Sequence, residues 1–365
     1  MSQQLLSEYR GKKVLITGHT GFKGTWLAIW LNEVGADVVG YALNPKTNKD
    51  NFVVTGLTEK IKDIRADIRD KDKLLQVFIE EQPEIVFHLA AQPLVLESYD
   101  NPLETFDTNI MGTANVLEAI RKSESVHTGI LITSDKCYEN REIIWGYREN
   151  DPMGGHDPYS ASKGSAELVI NSYRKSFFAR DRKAIASVRA GNVIGGGDWS
   201  EYRLIPDIIK AIEADKTIEL RNPRATRPWQ HVLEPLGGYL MLGAKMMEDP
   251  EKYDEAWNFG PYPHEVKPVQ TLVDKMIRYL GKGQWKDISK NNHHHEANLL
   301  TLDITKAITR LSWKPALTLD ETIRMTVEWY KSYDKDIDMY ELCKRQIEAY
   351  MGRLNTDDTD KTDAH

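Results

Sequence analysis

The class of fold is indicated most directly by the segment Lys13-Val14-Leu15-Ile16-Thr17-Gly18-His19-Thr20-Gly21-Phe22-Lys23-Gly24. It begins with a short β-type run, and apolar side chains then recur at helical spacing as far as Val34. A second β-type run, Asp37 to Tyr41, follows. This strand, glycine-rich turn, helix and strand predict a dinucleotide-binding unit, with the phosphates at the start of the helix. A glycine turn without a ligand is the less favoured alternative. The predicted contacts are Gly18, Thr20, Gly21, Phe22, Lys23 and Gly24.

The end of the second strand leaves the choice between NAD and NADP open. NAD-binding folds often have an acidic residue about twenty residues after the glycine turn, where it binds the adenosine ribose. Ala42-Leu43-Asn44 has neither a carboxylate nor an arginine, so Asn44 or backbone groups are the candidates for the ribose. Asp67 is a candidate for the adenine edge and equally for a plain polar strand end. The remaining predicted cofactor contacts are Ile68, Leu89, Ala90 and Ala91.

The alternation of strand and helix patterns continues to about residue 190. It predicts an α/β protein with a Rossmann-type, doubly wound parallel sheet, followed by a smaller mixed α/β region that binds substrate. We expect residues 1–190 to form the cofactor-binding domain with the catalytic residues. Residues 191–354 are expected to form mainly the substrate-binding region, with some segments returning to the sheet. The polar residues 355–365 are expected to be a disordered tail.

Composition excludes several classes of protein. The chain has 365 residues and a formal net charge of −7, which argues against nucleic acid or an anionic membrane as the main partner. It has no long apolar run and no charged-then-apolar leader, so we expect a cytoplasmic protein. Cys137 and Cys343 have neither disulfide nor metal spacing. His293-His294-His295 lies in a polar segment, which we interpret as a loop, and no metal site is predicted.

Two segments contain residues suited to proton transfer. Tyr159 and Lys163 are four residues apart at the start of a helical pattern, so their side chains share one face. A nearby ammonium favours the phenolate, which makes a proton acceptor. Ser134-Asp135-Lys136 follows a buried β-type run, at the sheet edge where ligands of parallel sheets bind.

The stretch from Arg221 to His231 is the most basic and aromatic in the chain. It contains three arginines and Trp229, which suit phosphate groups and a stacked base. Nucleic acid is a competing ligand, disfavoured by the acidic chain as a whole. A solvated loop is the other alternative, and it is less favoured because an exposed Trp229 would be costly. No side chain here distinguishes cytosine from uracil or thymine.

These motifs together resemble the extended short-chain dehydrogenase/reductase superfamily over nearly the whole chain. The residues that support this resemblance are Gly18, Gly21, Gly24, Ser134, Tyr159 and Lys163. Ser134-Asp135-Lys136 and the segments 195–199 and 226–232 are similar to the nucleotide-sugar 4,6-dehydratases within it. The resemblance implies bound NAD and an internal redox cycle on a nucleotide sugar.

The resemblance also implies roles for individual residues. Tyr159, with its pKa lowered by Lys163 and the nicotinamide charge, takes the proton of the 4-hydroxyl, and Ser134 hydrogen-bonds that oxygen. Asp135 is the acid that releases water. Lys136 stands where related dehydratases have a glutamate base, so it is either the base at carbon 5 or a cation that stabilises the enolate. The implied substrate contacts are Asn109, Asn192 and Arg227, with Arg203, Leu204 and Asn222 as weaker candidates.

Two alternative functions are compared with this interpretation, and the resemblance also implies an oligomeric state. A nucleotide-sugar 4-epimerase shares the tyrosine and lysine, but it generally has small uncharged residues in place of Asp135 and Lys136. A non-catalytic cofactor sensor or scaffold on the same fold is disfavoured because Ser134, Tyr159 and Lys163 occur together. Relatives commonly dimerise through a four-helix bundle, so we expect a homodimer, or a dimer of dimers, formed by the helices 102–122 and 159–180.

Overall fold

The computed structural model describes residues 6–181, 183–289, 299–333, 335 and 337–359. Its centre is one sheet of seven parallel strands in the order β7-β6-β5-β4-β1-β2-β3. The strands are β1 (Lys13–Thr17), β2 (Asp37–Ala42), β3 (Lys62–Arg65), β4 (Ile85–His88), β5 (Thr128–Ile132), β6 (Ala184–Ala190) and β7 (Ala256–Phe259). The strand order reverses between β1 and β4, which confirms the predicted doubly wound parallel sheet.

Helices cover both faces of the sheet. The longer ones are α1 (Phe22–Glu33), α2 (Lys71–Glu81), α3 (Pro102–Phe106, a π-helical turn Asp107–Met111 and Gly112–Lys122), α4 (Pro158–Tyr173, extended by a π-helical turn Arg174–Phe178 and by Ala179–Asp181), α5 (Leu204–Glu213), α6 (Leu233–Glu248), α7 (Val269–Leu280), α8 (Leu319–Tyr333) and α9 (Met339–Thr359). Shorter helices are Asn51–Val54, Val95–Asp100 and Pro250–Tyr253, with 3-10 turns at Ser7–Tyr9, Leu57–Glu59, Asp135–Cys137 and Pro263–Glu265 and a π-helical turn at Ala307–Leu311.

The alternation of side chains along the central strands divides the core in two. Val14 and Ile16 of β1 belong to one apolar cluster, whereas Leu15 between them belongs to the other. The first cluster includes Trp26 and Trp30 of α1 and apolar residues of α6 and α9. The second cluster includes apolar residues of α2 and α3 and Ile170 of α4. Because both faces are covered, central strands such as β4 and β5 are buried along their whole length, whereas the edge strand β3 is mostly charged.

The part after β6 is built from short strand pairs and helices. Val193–Ile194 pairs in parallel with Gln230–His231, and Ile218–Leu220 pairs in parallel with Trp285–Asp287. Thr226–Arg227 pairs antiparallel with Lys267–Pro268. β7 lies within the predicted substrate-binding region but hydrogen-bonds to β6 of the main sheet.

Two sequence predictions concern segments that lie wholly or partly outside the described residues, and a third concerns membrane-spanning helices. The residues His293-His294-His295 lie outside the described part of the chain. The predicted tail from residue 355 overlaps the end of α9, and its remainder lies outside the described residues. Among the helices that the structure describes, none is both long enough and apolar enough to cross a membrane.

Candidate active site

A single cleft of about 2300 Å³ lies at the carboxyl ends of the central strands, beside the point where the strand order reverses. It brings together the glycine turn, the residues after β5, the start of α4 and the segments after β6. The predicted site residues that line it are Gly18, Thr20, Gly21, Phe22, Lys23, Gly24, Asn44, Asp67, Ile68, Leu89, Ala90, Ala91, Ser134, Asp135, Lys136, Tyr159, Lys163, Asn192, Arg203, Leu204, Asn222 and Arg227.

The glycine turn forms a closely packed cradle. Gly18 has a φ of +77°, and a Cβ atom there would lie 2.6 Å from the backbone nitrogen of Ala90. A Cβ atom at Gly24 would lie 2.1 Å from the carbonyl oxygen of Gly18. Helix α1 begins after Gly21 without a side-chain cap, so its first-turn N–H groups face the cleft with the positive end of the helix. This donor set fits the diphosphate of a dinucleotide.

At the predicted adenosine end of the cleft, Asp67 takes part in an ion pair. The carboxylate of Asp67 binds the guanidinium of Arg69, with 2.6 Å between Oδ2 and Nη2. This hydrogen bond lowers the pKa of the Asp67 carboxyl, so Asp67 is an ionised acceptor already shared with Arg69. Asn44 is exposed at the cleft edge after β2.

Ser134, Asp135 and Lys136 lie on a tight turn, Thr133–Tyr138, which we call the acid–base turn. The Ser134 hydroxyl donates to Asp135 Oδ1 at 2.9 Å and accepts from the Lys136 N–H at 3.2 Å. Asp135 is only 4% exposed, and burial raises the pKa of its carboxyl. Its Oδ2 faces Gly191, where a Cβ atom would come within 3.1 Å. Asp135 is therefore in the dry surroundings that favour a protonated carboxyl.

Tyr159 and Lys163 are fixed at the start of α4. Asp157 caps this helix by accepting from the Ser160 N–H at 2.9 Å, and the Tyr159 N–H donates to Ser98 Oγ at 3.1 Å. Burial raises the pKa of Tyr159 to about 12, against hydrogen bonding from Ser134 and the charge of Arg203, which lower it. Burial lowers the pKa of Lys163 to about 8.

In the protein alone the pKa of Tyr159 is raised, whereas the sequence interpretation expected Lys163 together with the nicotinamide charge to lower it. That interpretation did not consider the loss of water around the phenol, and desolvation opposes the charged phenolate. The charge of Arg203 lowers the pKa of Tyr159. Arg203 immediately precedes α5 and forms an ion pair with Asp198, with 3.0 Å between Nη1 and Oδ2. The approach of Arg203 to Tyr159 was not predicted, because the two residues belong to distant parts of the chain.

A further cation, Lys23, enters the same cleft from the first turn of α1. Burial lowers the pKa of Lys23 to about 7, and the charge of Arg203 lowers it further. Trp229, from the basic stretch, also lines the cleft and is only 5% exposed. The cleft therefore contains basic side chains from α1, from the start of α5 and from the basic stretch, namely Lys23, Arg203 and Arg227, which suit a ligand with phosphate groups.

Asn109 is the one predicted site residue that is not among the described cleft-lining residues. It is buried in the π-helical turn of α3. Its Oδ1 accepts from the Gln92 N–H, and its Nδ2 donates to Gln92 O and to Ser162 Oγ at 2.9 Å. Protein groups therefore engage both ends of this amide, and Asn109 joins the segment after β4 to the helix of Tyr159.

The fold and this site define a class of protein. A parallel Rossmann-type sheet, a glycine cradle and a Ser, Tyr and Lys set in one cleft are the features of a short-chain dehydrogenase/reductase-like enzyme acting on a dinucleotide and a second ligand. The sequence model of the GDP-mannose 4,6 dehydratase family matches residues 15–326. The chain belongs to that family.

Individual relatives agree with this assignment. The chain is 48% identical over 348 residues to a CDP-glucose 4,6-dehydratase of Salmonella typhimurium, covering 94% of this chain and 97% of the relative. Among solved structures, a UDP-glucose 4-epimerase of Stenotrophomonas maltophila with bound NAD superposes with a TM-score of 0.78 at 21% identity, covering 89% of this chain and 100% of the other. A dTDP-glucose 4,6-dehydratase of Bacillus anthracis in complex with NAD gives 0.74 at 20% identity, covering 91% and 99%.

Proposed function

We propose that this protein is a CDP-glucose 4,6-dehydratase, a hydro-lyase that converts CDP-D-glucose to CDP-4-keto-6-deoxy-D-glucose. The observation that carries the proposal is the juxtaposition of two sets in one cleft: Ser134, Tyr159 and Lys163, and beside them Asp135 and Lys136. The first set suits oxidation at a hydroxyl-bearing carbon, and the second suits loss of water. The 48% identity to the Salmonella enzyme supports CDP-glucose as the substrate.

NAD is the proposed cofactor. The glycine cradle and the uncapped start of α1 fit its diphosphate, and Asn44, Asp67, Ile68, Leu89, Ala90 and Ala91 line the path toward its adenosine. When bound, NAD would supply the hydride acceptor for oxidation at carbon 4 and the hydride donor for reduction at carbon 6. The structures of the Stenotrophomonas and Bacillus enzymes were determined with NAD.

Tyr159 and Ser134 serve the oxidation in this proposal. The phenolate of Tyr159 takes the proton of the 4-hydroxyl, and Ser134 donates a hydrogen bond to the same oxygen. In the protein alone the pKa of Tyr159 is about 12, so the base needs nearby positive charge to ionise near neutral pH. Lys163 and Arg203 provide such charge from within the chain.

Asp135 and Lys136 serve the elimination. Once carbon 4 is a ketone, the hydrogen on carbon 5 is acidic. Lys136 removes that proton, the bond from carbon 6 to its oxygen breaks, and Asp135 protonates the departing hydroxyl so that water leaves. The raised pKa of Asp135 suits this acid role. The alternative for Lys136 is a cation that stabilises the enolate while another group removes the proton.

The nucleotide sugar is proposed to bind along the half of the cleft formed after β6. Asn192 and Arg227 are proposed to contact the diphosphate, with Arg203, Leu204 and Asn222 as further contacts. We propose that Asn109 acts indirectly, through Gln92 and Ser162, rather than by touching the sugar.

We further propose a homodimer, or a dimer of dimers, that acts in the cytoplasm in deoxysugar synthesis for lipopolysaccharide. Exposed apolar side chains on α3 and α4 support the helical interface: Leu103 is 81% exposed, Met111 53%, Leu168 61% and Phe177 41%. Both cysteines are unpaired and buried, which suits a reducing compartment. Light scattering of the purified protein tests the assembly, and a monomer would contradict it.

A substrate panel tests the proposed function. The purified protein is incubated with NAD and, separately, with the CDP, dTDP, UDP and GDP sugars, and 4-keto products are followed by their near-ultraviolet absorbance in alkali. We expect a keto sugar from CDP-glucose. Formation of an epimer without a keto product would support the 4-epimerase alternative instead, and no product from any sugar would overturn the dehydratase proposal.

A further inference from the structure

Both ends of the acid–base turn are attached to one buried ion pair. Glu167 of α4 and Arg189 of β6 lie with Oε2 and Nη2 2.7 Å apart, and their side chains are only 3% and 4% exposed. At the upstream end of the turn, Thr133 Oγ1 donates to Glu167 Oε1 at 2.5 Å. At the downstream end, Arg189 Nη1 donates to the Tyr138 hydroxyl at 2.6 Å. The ion pair therefore spans the base of the turn that presents Ser134, Asp135 and Lys136.

The ion pair is a rigid support because its hydrogen-bonding groups are extensively satisfied. Glu167 accepts from Thr133, from Ser187 Oγ and twice from Arg189. Arg189 also donates to the carbonyl oxygen of Glu149, and its guanidinium lies 4.9 Å from the centre of the Tyr138 ring. Separating buried charges leaves each one uncompensated, so the pair resists displacement.

Tyr138 extends this support to the region after β6. Its hydroxyl donates to Asn258 Oδ1 at 2.8 Å, and Asn258 Nδ2 donates to the carbonyl oxygens of Tyr147 and Asp303. One phenolic oxygen therefore joins the downstream end of the acid–base turn to Arg189 and to the β7 strand. Tyr159 is fixed by separate contacts, to Ser98 and through the Asp157 cap.

We propose that Glu167, Arg189 and Tyr138 are positioning residues that align Asp135 and Lys136 for the loss of water, and that Tyr138 acts mainly on this step rather than on the preceding oxidation. The inference rests on the proposed function. It follows from the separation of supports: the Tyr138 hydroxyl holds the downstream end of the turn, whereas Ser134 lies beside Thr133 and Tyr159 belongs to another element.

Tyr138→Phe tests the proposal, because Glu167→Gln would leave the buried charge of Arg189 uncompensated and destabilise the whole fold. Tyr350→Phe is the matched control: Tyr350 is also fully buried, and its hydroxyl donates to the carboxylate of Glu234 on α6 at 2.9 Å rather than to a group that supports the acid–base turn. Thermal unfolding reports the structural cost of each change. The wild-type protein must first produce the keto sugar, since failure there overturns the proposed function rather than this inference.

Three quantities are then compared on mixing with NAD and CDP-glucose: appearance of the reduced cofactor, exchange of the carbon-5 hydrogen with deuterated solvent, and keto product. In Tyr138→Phe we expect exchange and product to slow by about 10- to 100-fold, as small misplacement of catalytic groups does, with the first reduction within about twofold. Tyr350→Phe should change none of the three rates, apart from any loss of folded protein that thermal unfolding shows. Equal slowing of both steps in Tyr138→Phe, or the same behaviour in both variants, would overturn the proposal.

Thr133→Val provides a second arm at the other end of the turn. Its hydroxyl is lost without a change in shape, and Ser134 is its neighbour, so we expect the first reduction and the later exchange to slow together. Thr326→Val, which removes a buried hydroxyl bonded to the Thr322 carbonyl, is the control. If Thr133→Val and Tyr138→Phe slowed the same single step, the proposal that the two ends of the acid–base turn are supported separately would be contradicted.

Discussion

The two halves of the proposed chemistry are built in different ways. Tyr159 and Lys163 are neighbours on one helical turn, and the helix cap Asp157 lies two residues before Tyr159. Asp135 and Lys136 lie on a short 3-10 turn whose geometry depends on Glu167, Arg189 and Asn258, all distant in sequence. Tyr159 and Lys163, two of the three oxidation residues, are thus placed by one helical turn, whereas the acid–base turn that presents Ser134, Asp135 and Lys136 is held by tertiary contacts. Substitutions far from this turn in sequence can therefore disturb Asp135 and Lys136 while leaving Tyr159 and Lys163 in place.

Removal of the base is expected to have the largest effect. Tyr159→Phe deletes the only oxygen of that side chain, so the first reduction of the cofactor should fall by about 1000-fold. Rapid-mixing absorbance of the reduced cofactor measures it, with Tyr173→Phe on the same helix as the control. Persistent reduction at the wild-type rate would remove Tyr159 from the base role and break the division into two sets.

Removal of the acid should separate the two sets. Asp135→Asn cannot protonate the departing hydroxyl, so product formation is expected to fall by about 100-fold. The first reduction should continue, and the reduced cofactor should accumulate. Product analysis together with absorbance checks this. Unchanged turnover would show that the acid lies elsewhere.

Substitutions of Lys136 distinguish its two proposed roles, the base that removes the carbon-5 proton and the cation that stabilises the enolate. Arginine keeps the positive charge but is protonated at all accessible pH values, so a base role predicts a loss of about 100-fold in carbon-5 exchange for Lys136→Arg and for Lys136→Met alike. Deuterium incorporation measured by mass spectrometry gives the rate. Retention of most exchange in Lys136→Arg, with loss only in Lys136→Met, would assign Lys136 the enolate-stabilising role.

The smallest effect is a pH dependence of the oxidation set. Lysine is charged below its pKa, and the pKa of Lys163 is lowered to about 8, so the cation is present below that pH and lost above it. Because ionisation of Tyr159 increases over the same range, we expect kcat/KM to rise with pH up to about the Lys163 pKa and to level off above it, and the levelling to move to higher pH in Lys163→Arg. A profile of the arginine variant that coincides with the wild type would assign the levelling to another group.

Sequence reasoning succeeded where function depends on local pattern. The spacing of Gly18, Gly21 and Gly24 between a strand and a helix predicted the sheet and the cradle. Asp157 before Pro158 has the pattern of a helix cap followed by proline, and this signal could have been used.

The remaining features of the site depend on contacts between distant segments. The packing of Gly191 against Asp135 and the approach of Arg203 to Tyr159 leave no periodic trace in the chain. The use of the Asn109 side chain by Gln92 and Ser162 is likewise visible only in three dimensions. Desolvation of Tyr159 belongs to the same class, because burial is a property of the folded chain.

The position of β7 has a consequence for synthesis on the ribosome. β6 ends at Ala190, but the strand that covers its outer edge, Ala256–Phe259, emerges only after the intervening segments have been made. At ordinary elongation rates the nascent sheet would carry an open edge at β6 for roughly 3 to 13 s. An open parallel edge invites pairing with other chains, so a polypeptide stopped near residue 190 should aggregate, whereas one extended beyond Phe259 has its edge covered.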